Sequence, residues 1–275
     1  MKPEIVRLLI LLPAVIVLCL MVFDARMKTV FYNVETEQSG GRVRIALVTD
    51  LHSCRYGKGQ CRLLDAIDAQ KPDLVLLGGD IFDDHMKQDR AREFVSSIGA
   101  VYPCFYVTGN HEYWSHDIDN ILDFIRSCGV TVLAGDCRTV EINGRTLNIC
   151  GISDPDSKVY NGLAPSFARQ LDSAAQAAQN GSYTVLLSHR PEQVEQYQKR
   201  DFDLILCGHA HGGQWRIPGL LNGFLAPDQG FFPKYAGGRY ELDGCTMIVS
   251  RGLARESTLV PRVFNRPELV IVDIQ

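Results

Sequence analysis

Five apolar runs, each about one strand long, recur along this chain, and each ends on a short cluster of metal-ligating side chains. Arg44–Thr49 leads into Asp50-Leu51-His52, Asp73–Leu77 into Gly79-Asp80-Ile81-Phe82-Asp83, and Cys104–Thr108 into Gly109-Asn110-His111-Glu112. Tyr183–Leu187 leads into Ser188-His189-Arg190, and Phe202–Cys207 into Gly208-His209-Ala210-His211-Gly212-Gly213. Runs with so few alternating polar residues predict strands buried on both faces. Between several of them, Cys61–Gln70, Asp89–Ile98, Asp117–Cys128 and Pro165–Gln179 carry helical spacing. Alternating strand and helix predicts βαβ units, and so an α/β fold whose sheet carries helical layers. Ligands in such sheets gather at the carboxyl ends of the strands. Every cluster stands at that end, so the five loops are expected to converge on one rim.

Ligand type sets the expected chemistry. Asp carboxylates, an Asn carbonyl and imidazole nitrogens suit Mn, Fe, Zn and related divalent ions. No cysteine falls in a thiolate zinc pattern. A carboxylate shared by two ions holds them ~3.5–4 Å apart, where they polarise a phosphoryl oxygen, lower the pKa of a bridging water and orient in-line attack. Asp80 is the candidate bridge, because Gly78 and Gly79 before it admit backbone into a crowded site. Taken singly, each cluster also reads as ordinary structure: a strand-end turn for Asp50-Leu51-His52, a core histidine for His189. His209 and His211 are the stronger pair, since alternation in an extended segment puts both rings on one side. The joint occurrence decides. Histidines 52, 111, 189, 209 and 211 are five of the chain's seven, which leaves His85 and His116 for exposed loops.

These blocks, in this order, resemble the calcineurin-like metallophosphoesterase superfamily: Asp-x-His, Gly-Asp-x-x-Asp, Gly-Asn-His-Asp/Glu, a later lone His, and Gly-His-x-His. The match runs from about Arg42 to Gln275. The resemblance implies a four-layer sandwich, two mixed β-sheets with helices outside. It implies Asp50, His52 and His211 on a first metal, Asn110, His189 and His209 on a second, and Asp80 bridging them. His111 is then no ligand but a general acid or transition-state stabiliser near the leaving group, and Asp83 orients it, as a carboxylate does for a catalytic imidazole. Glu112 stands where many members have Asp. Downstream, Tyr235-Ala236-Gly237-Gly238-Arg239-Tyr240, Val249-Ser250-Arg251-Gly252-Leu253 and Pro261-Arg262-Val263-Phe264-Asn265-Arg266-Pro267-Glu268 resemble a bacterial membrane-associated branch of YkuE/YaeI type. Some relatives there cleave a lipid-linked nucleotide-sugar pyrophosphate, and others are phosphodiesterases or phosphatases. Ala254–Val260 departs from the shorter, glycine-containing version of that branch. Arg251 and Arg262 read equally as phosphate contacts and as structural ion pairs.

The amino terminus adds an anchor. Leu8–Phe23 is apolar throughout, between Arg7 and Asp24. It is a little short for a span of ~20 residues, and Ile5 and Val6 extend it. A cleaved signal peptide competes, but Asp24-Ala25-Arg26-Met27-Lys28 offers no small-x-small cleavage site. The expectation is an uncleaved signal anchor over residues 1–28, with one transmembrane helix kinked at Pro13, then a linker over 29–41 and one catalytic domain over 42–275. Sidedness stays open. Lys2 and Arg7 before the span against Arg26 and Lys28 after it leave the positive-inside rule nearly balanced. The nine cysteines, with no dense disulfide framework, suit a reducing compartment. Cys104, Cys150 and Cys207 read as small buried apolar residues.

At 46% hydrophobic residues the chain can build a large core, and a net charge of -4 gives no general basic surface for nucleic acid. The expected partner is a phosphorylated small-molecule or lipid substrate. Two stretches are expected to shape its entrance: Ser53–Gly59 and the Gly-, Pro- and aromatic-rich Trp215–Tyr235. The reading is a membrane-anchored, two-metal phosphoesterase. A nuclease-like phosphodiesterase and a catalytically silent scaffold are the alternatives, and the complete ligand set argues against the scaffold.

Overall fold

A computed structural model of the chain describes residues 3–256 and 260–275, without the side chains of residues 3–10 and of residue 14. The helices are α1 (Pro3–Val22), α2 (Cys61–Asp68), α3 (Asp89–Gly99), α4 (Asn110–Trp114), α5 (Ile118–Ser127), α6 (Ser157–Tyr160), α7 (Phe167–Ala177) and α8 (Val194–Tyr197). The strands are β1 (Lys28–Val34), β2 (Val43–Val48), β3 (Leu74–Gly78), β4 (Cys104–Val107), β5 (Thr131–Val132), β6 (Asp136–Ile142), β7 (Arg145–Gly151), β8 (Tyr183–Leu187), β9 (Leu204–Cys207), β10 (Leu225–Ala226), β11 (Gly230–Phe231), β12 (Gly238–Glu241), β13 (Thr246–Val249) and β14 (Glu268–Ile274).

Two six-stranded sheets result, in the orders β1-β14-β2-β3-β4-β5 and β12-β13-β9-β8-β7-β6. Both are mixed. β2, β3, β4 and β5 are parallel and β14 runs against them. In the second sheet β13, β9, β8 and β7 are parallel between antiparallel edges β12 and β6.

The apolar runs show why both faces are covered. In β2, Val43, Ile45 and Leu47 join Leu147, Val185, Leu187, Leu204 and Leu206 in a core between the two sheets. The alternate residues Ala46 and Val48 face α2, α3 and α5, which return Leu63 and Ile67, Phe94 and Ile98, and Ile121 and Ile125 at helical spacing. On the far side, Cys150, Leu186, Ile205 and Cys207 meet Leu171 and Ala174 of α7 and Tyr197 of α8. Helix, sheet, sheet and helix therefore form four layers, as expected. Cys104, Cys150 and Cys207 are buried.

Two expectations change. Residues 29–41 are not simply a linker: Lys28–Val34 is strand β1, paired in parallel with β14. Its Thr-Val-Phe-Tyr sequence suits a half-covered edge strand, and sequence spacing missed it because its partner lies 240 residues away. The amino-terminal expectation is revised too. Among the described residues no helix is long and apolar enough to cross a membrane. The run Leu8–Phe23 begins in the part of α1 whose side chains lie outside the described set. Its described portion exposes Leu11, Leu12, Val15, Ile16, Val17, Leu18, Leu20 and Met21.

Candidate metal centre

The pairing of β2 with β3 continues past the strand ends. Asp50 N donates to Gly79 O at 3.0 Å and His52 N to Asp80 O at 2.9 Å, which locks the first two clusters side by side. From the other sheet, His209 N donates to Asp50 Oδ1 at 2.9 Å. The turns are tight. Asp50, His52, Asp80, His209 and His211 all hold left-handed backbone, at φ of 50°, 46°, 52°, 66° and 47°. Such conformations cost ~1–3 kcal/mol each and persist where the surroundings over-determine them, typically at functional sites. Gly79, at φ +86°, shows the close approach expected of it: a Cβ there would stand 2.7 Å from both His189 Nδ1 and Gly109 N.

All seven sequence-derived ligands come to this one rim, buried to within a few per cent of complete. Asp50, His52 and His211 offer ligand atoms within 4.8 Å of one another, and so do Asp80, His189 and His209. Asp80 Oδ2 lies between the groups, 3.0 Å from His189 Nε2 and 3.6 Å from His52 Nε2. Asn110 opens α4 beside them. Asp50 Oδ2, His52 Nε2, Asp80 Oδ2, Asn110 Oδ1 and His211 Nδ1 are buried with no hydrogen-bond partner. Leaving such atoms unpaired costs ~1–3 kcal/mol each, more when charged. A divalent cation is the partner this donor set fits. Burial pulls His209 down to about 3 and His211 well below its ordinary range. Burial acts the same way on His189, but the Asp80 carboxylate beside it outweighs burial and raises it to about 10.

Partners behind the ligands fix their tautomers. His189 Nδ1 donates to Gly78 O at 2.9 Å, leaving Nε2 for the site. His52 Nδ1 donates to Asp83 Oδ2 at 2.9 Å. His111 Nδ1 donates to Asp84 Oδ1 at 2.6 Å, whereas Asp83 lies 3.8 Å from it. The carboxylate that resemblance assigned to His111 thus serves His52, and the neighbouring Asp84, which no motif flagged, serves His111. His111 itself stands at the edge, 22% exposed, its ring 4.4 Å from that of His52 and 4.7 Å from that of Trp114.

Three further side chains were not legible as site residues. Asp228 Oδ2 accepts from His209 Nε2 at 2.8 Å, and Arg190 Nη1 donates to the same oxygen. Asp154 grips Arg190 with both oxygens, at 2.6 and 3.0 Å. The loop Trp215–Tyr235 thus reaches the centre through Asp228. Glu112 is fully buried and accepts four backbone N–H groups, from Gly109, Asp80, Ile81 and Phe82, at 2.8–3.0 Å. Burial pushes its carboxyl up, as does Asp80, while these donors favour the ionised form.

Arg251 Nε lies 3.5 Å from Glu268 Oε2, and Arg262 Nη2 donates to Arg251 O at 2.8 Å, which favours their structural reading. His85 and His116 are exposed, as expected. Of Ala254–Val260, residues 257–259 lie outside the described set.

Residues 43–213 match the family model for calcineurin-like phosphoesterases. An uncharacterized metallophosphoesterase of Helicobacter pylori is 30% identical over 178 residues, 62% of this chain; the match spans 45% of that protein's length. Phosphodiesterase YaeI of Escherichia coli is 28% identical over 238 residues, covering 84% of this chain and 82% of YaeI. The solved structure of Haemophilus influenzae NAD nucleotidase shares the fold, with a TM-score of 0.54 at 17% identity, over 79% of this chain and 46% of that one. The chain belongs to the calcineurin-like phosphoesterase family.

Proposed function

We propose that this family member is a metal-dependent hydrolase of a phosphate ester or phosphoanhydride. The observation that carries the reading is the set of buried ligand atoms without partners, set in two adjacent groups, Asp50-His52-His211 and Asp80-His189-His209, with Asp80 Oδ2 3.6 Å from His52 Nε2 of the first. Asp50, His52 and His211 would hold one divalent cation, and Asn110, His189 and His209 the other, with Asp80 common to both. Mn, Fe and Zn all suit these donors. The cations would supply Lewis acidity toward the phosphoryl group and a water of lowered pKa.

The chain's own groups do the rest. His111, with Nδ1 committed to Asp84, presents Nε2 to the substrate side and gives its proton to the departing oxygen as the phosphorus–oxygen bond breaks. Asp83 and Asp228 keep His52 and His209 in the tautomers that leave the ligand nitrogens free. The Asp154–Arg190 pair holds Asp228 in place. The substrate we infer is a phosphodiester or pyrophosphate, on a lipid or a nucleotide sugar. The apolar face of α1 supports residence at a membrane.

The test is turnover of a generic aryl phosphodiester with metal analysis. Asp80→Asn is expected to lose metal and activity together. His111→Ala is expected to keep its metal and lose roughly 10²–10⁴-fold in kcat, the share of a general acid. Loss of metal from His111→Ala, with activity recovered on adding cation, would remove His111 from that role. For α1, the full chain is expected to float with lipid vesicles.

A further inference from the structure

We propose that the aromatic rim built by residues 215–232 is a membrane-docking surface, which seats the catalytic domain on the headgroup layer of an anionic bilayer beside the metal centre. The proposal rests on the reading of α1 as membrane-associated and extends it from the helix to the domain.

The rim is apolar, exposed and rigid. Trp215, Ile217, Leu220, Phe231 and Phe232 are 42%, 49%, 82%, 65% and 67% exposed. They are not scattered. The Phe224 ring stacks on Trp215 at 5.6 Å and meets Phe231 and Phe232 edge-on at 5.3 and 5.6 Å. The β10–β11 hairpin carries Phe231 on this cluster. Aromatic rings held this way offer apolar area with little rotamer entropy left to lose. A contiguous exposed patch of large apolar side chains on a globular domain marks an interaction surface.

Continuity with α1 identifies the occupant. Trp215 Nε1 donates to Pro261 O and Arg216 N to Val263 O, each at 3.0 Å. The next residue, Phe264, donates its N–H to Val22 O, at the end of α1, at 2.7 Å. Thus the rim and the exposed apolar side chains of α1 are joined through one short segment, 261–264. Charge agrees. Between 215 and 235 the charged side chains are Arg216, Asp228 and Lys234. Asp228 is engaged by His209 and Arg190. Lys234 is exposed, whereas Arg216 is half-buried and donates to Gly212 O and Asn222 Oδ1. A surface of Trp and Phe beside an exposed lysine suits the boundary between headgroups and acyl chains. The same loop delivers Asp228 to His209, so docking would bring a headgroup phosphoester to the centre without its leaving the bilayer.

The chain has two tryptophans, so Trp114→Phe leaves Trp215 as the only reporter. The full chain carrying that change is mixed with phosphatidylcholine–phosphatidylglycerol vesicles, with and without brominated acyl chains, and flotation is measured alongside emission. The expected result is flotation, a blue shift, and loss of Trp215 emission to brominated lipid. Trp215→Phe, which reports Trp114 alone, is expected to stay unquenched. Adding Phe231→Ser and Phe232→Ser to the reporter chain is expected to abolish most of the quenching while flotation persists. Flotation with Trp215 unquenched, or quenching untouched by the two serines, overturns the docking surface and leaves α1 as the sole membrane contact. A chain that does not float overturns both readings. Concentration-dependent dimerisation that shields Trp215 in place of quenching would assign the rim to a second copy and likewise overturn the proposal.

Discussion

Replacing Asp84 by Asn removes one negative charge from the hydrogen bond to His111 and leaves an acceptor of the same size in its place. A hydrogen bond to a charged group contributes ~1.5–3 kcal/mol. His111 is 22% exposed and Asp84 10%, so solvent screens the pair only in part. With the acceptor kept, about half of that contribution is lost, ~0.75–1.5 kcal/mol, and at 1.36 kcal/mol per tenfold this is a roughly 4- to 13-fold fall in kcat. KM for an aryl phosphodiester and metal content are expected to stay at the parent level, because Asp84 touches no ligand. Asp83→Asn is the contrast. Its partner is His52, so it is expected to weaken metal affinity ~10–100-fold, with activity restored by excess cation. Steady-state kinetics across a cation titration, with metal counted by mass spectrometry, separates the two. The reverse pattern, metal lost from Asp84→Asn and a pure kcat defect in Asp83→Asn, would refute the assignment and return His111 to Asp83.

Asp228→Asn is expected to lower affinity for the cation held by His209 ~10-fold or more, read by calorimetric metal titration. Gly252→Ala places a Cβ 2.5 Å from that of Asp50 at φ +69°. It is expected to destabilise the fold by more than ~1 kcal/mol and to reduce metal content, seen by denaturant unfolding and metal analysis. Leu206→Ala, in the core between the sheets, is expected to cost ~2–5 kcal/mol in the same unfolding assay. Arg44 grips Asp273 with two bonds of 2.7 Å and holds its carboxyl below the usual range. That stabilisation is complete above the unfolded carboxylate pKa of ~3.9 and is lost as pH falls through the depressed folded value. Acid unfolding of Asp273→Asn is therefore expected to lack this component.

Legibility in the sequence followed physical range. The candidate ligand set was readable because strand ends concentrate it: each of Asp50, Asp80, Asn110, His189 and His209 stands within a few residues of an apolar run that had to be a buried strand. The central strands were readable for the same reason, since burial on both faces leaves an unbroken apolar signature. What failed was long-range pairing without local pattern. Lys28–Val34 looked like linker because its partner is the last strand of the chain. Asp228 sits in an irregular loop with no periodicity to aim it. Asp83 and Asp84 are adjacent in one loop, and no spacing argument tells which of two neighbouring carboxylates turns to His52 and which to His111. Glu112 was visible as a residue but not as a hub, because its four N–H donors come from two loops that meet only in the folded state.

The rim draws its ligands from both halves of the sandwich. Asp50, His52, Asp80 and Asn110 follow strands of one sheet, and His189, His209 and His211 follow strands of the other. Each group of three candidate ligands, Asp50-His52-His211 and Asp80-His189-His209, mixes the two. A cation bound there is consequently a clasp across the seam, at the edge of two sheets that face each other over an apolar core. By linkage, whatever seats one sheet more firmly on the other tightens the hold on metal, and metal in return firms the seam. Remote changes in the inter-sheet packing are thereby put in thermodynamic contact with the chemistry at the edge.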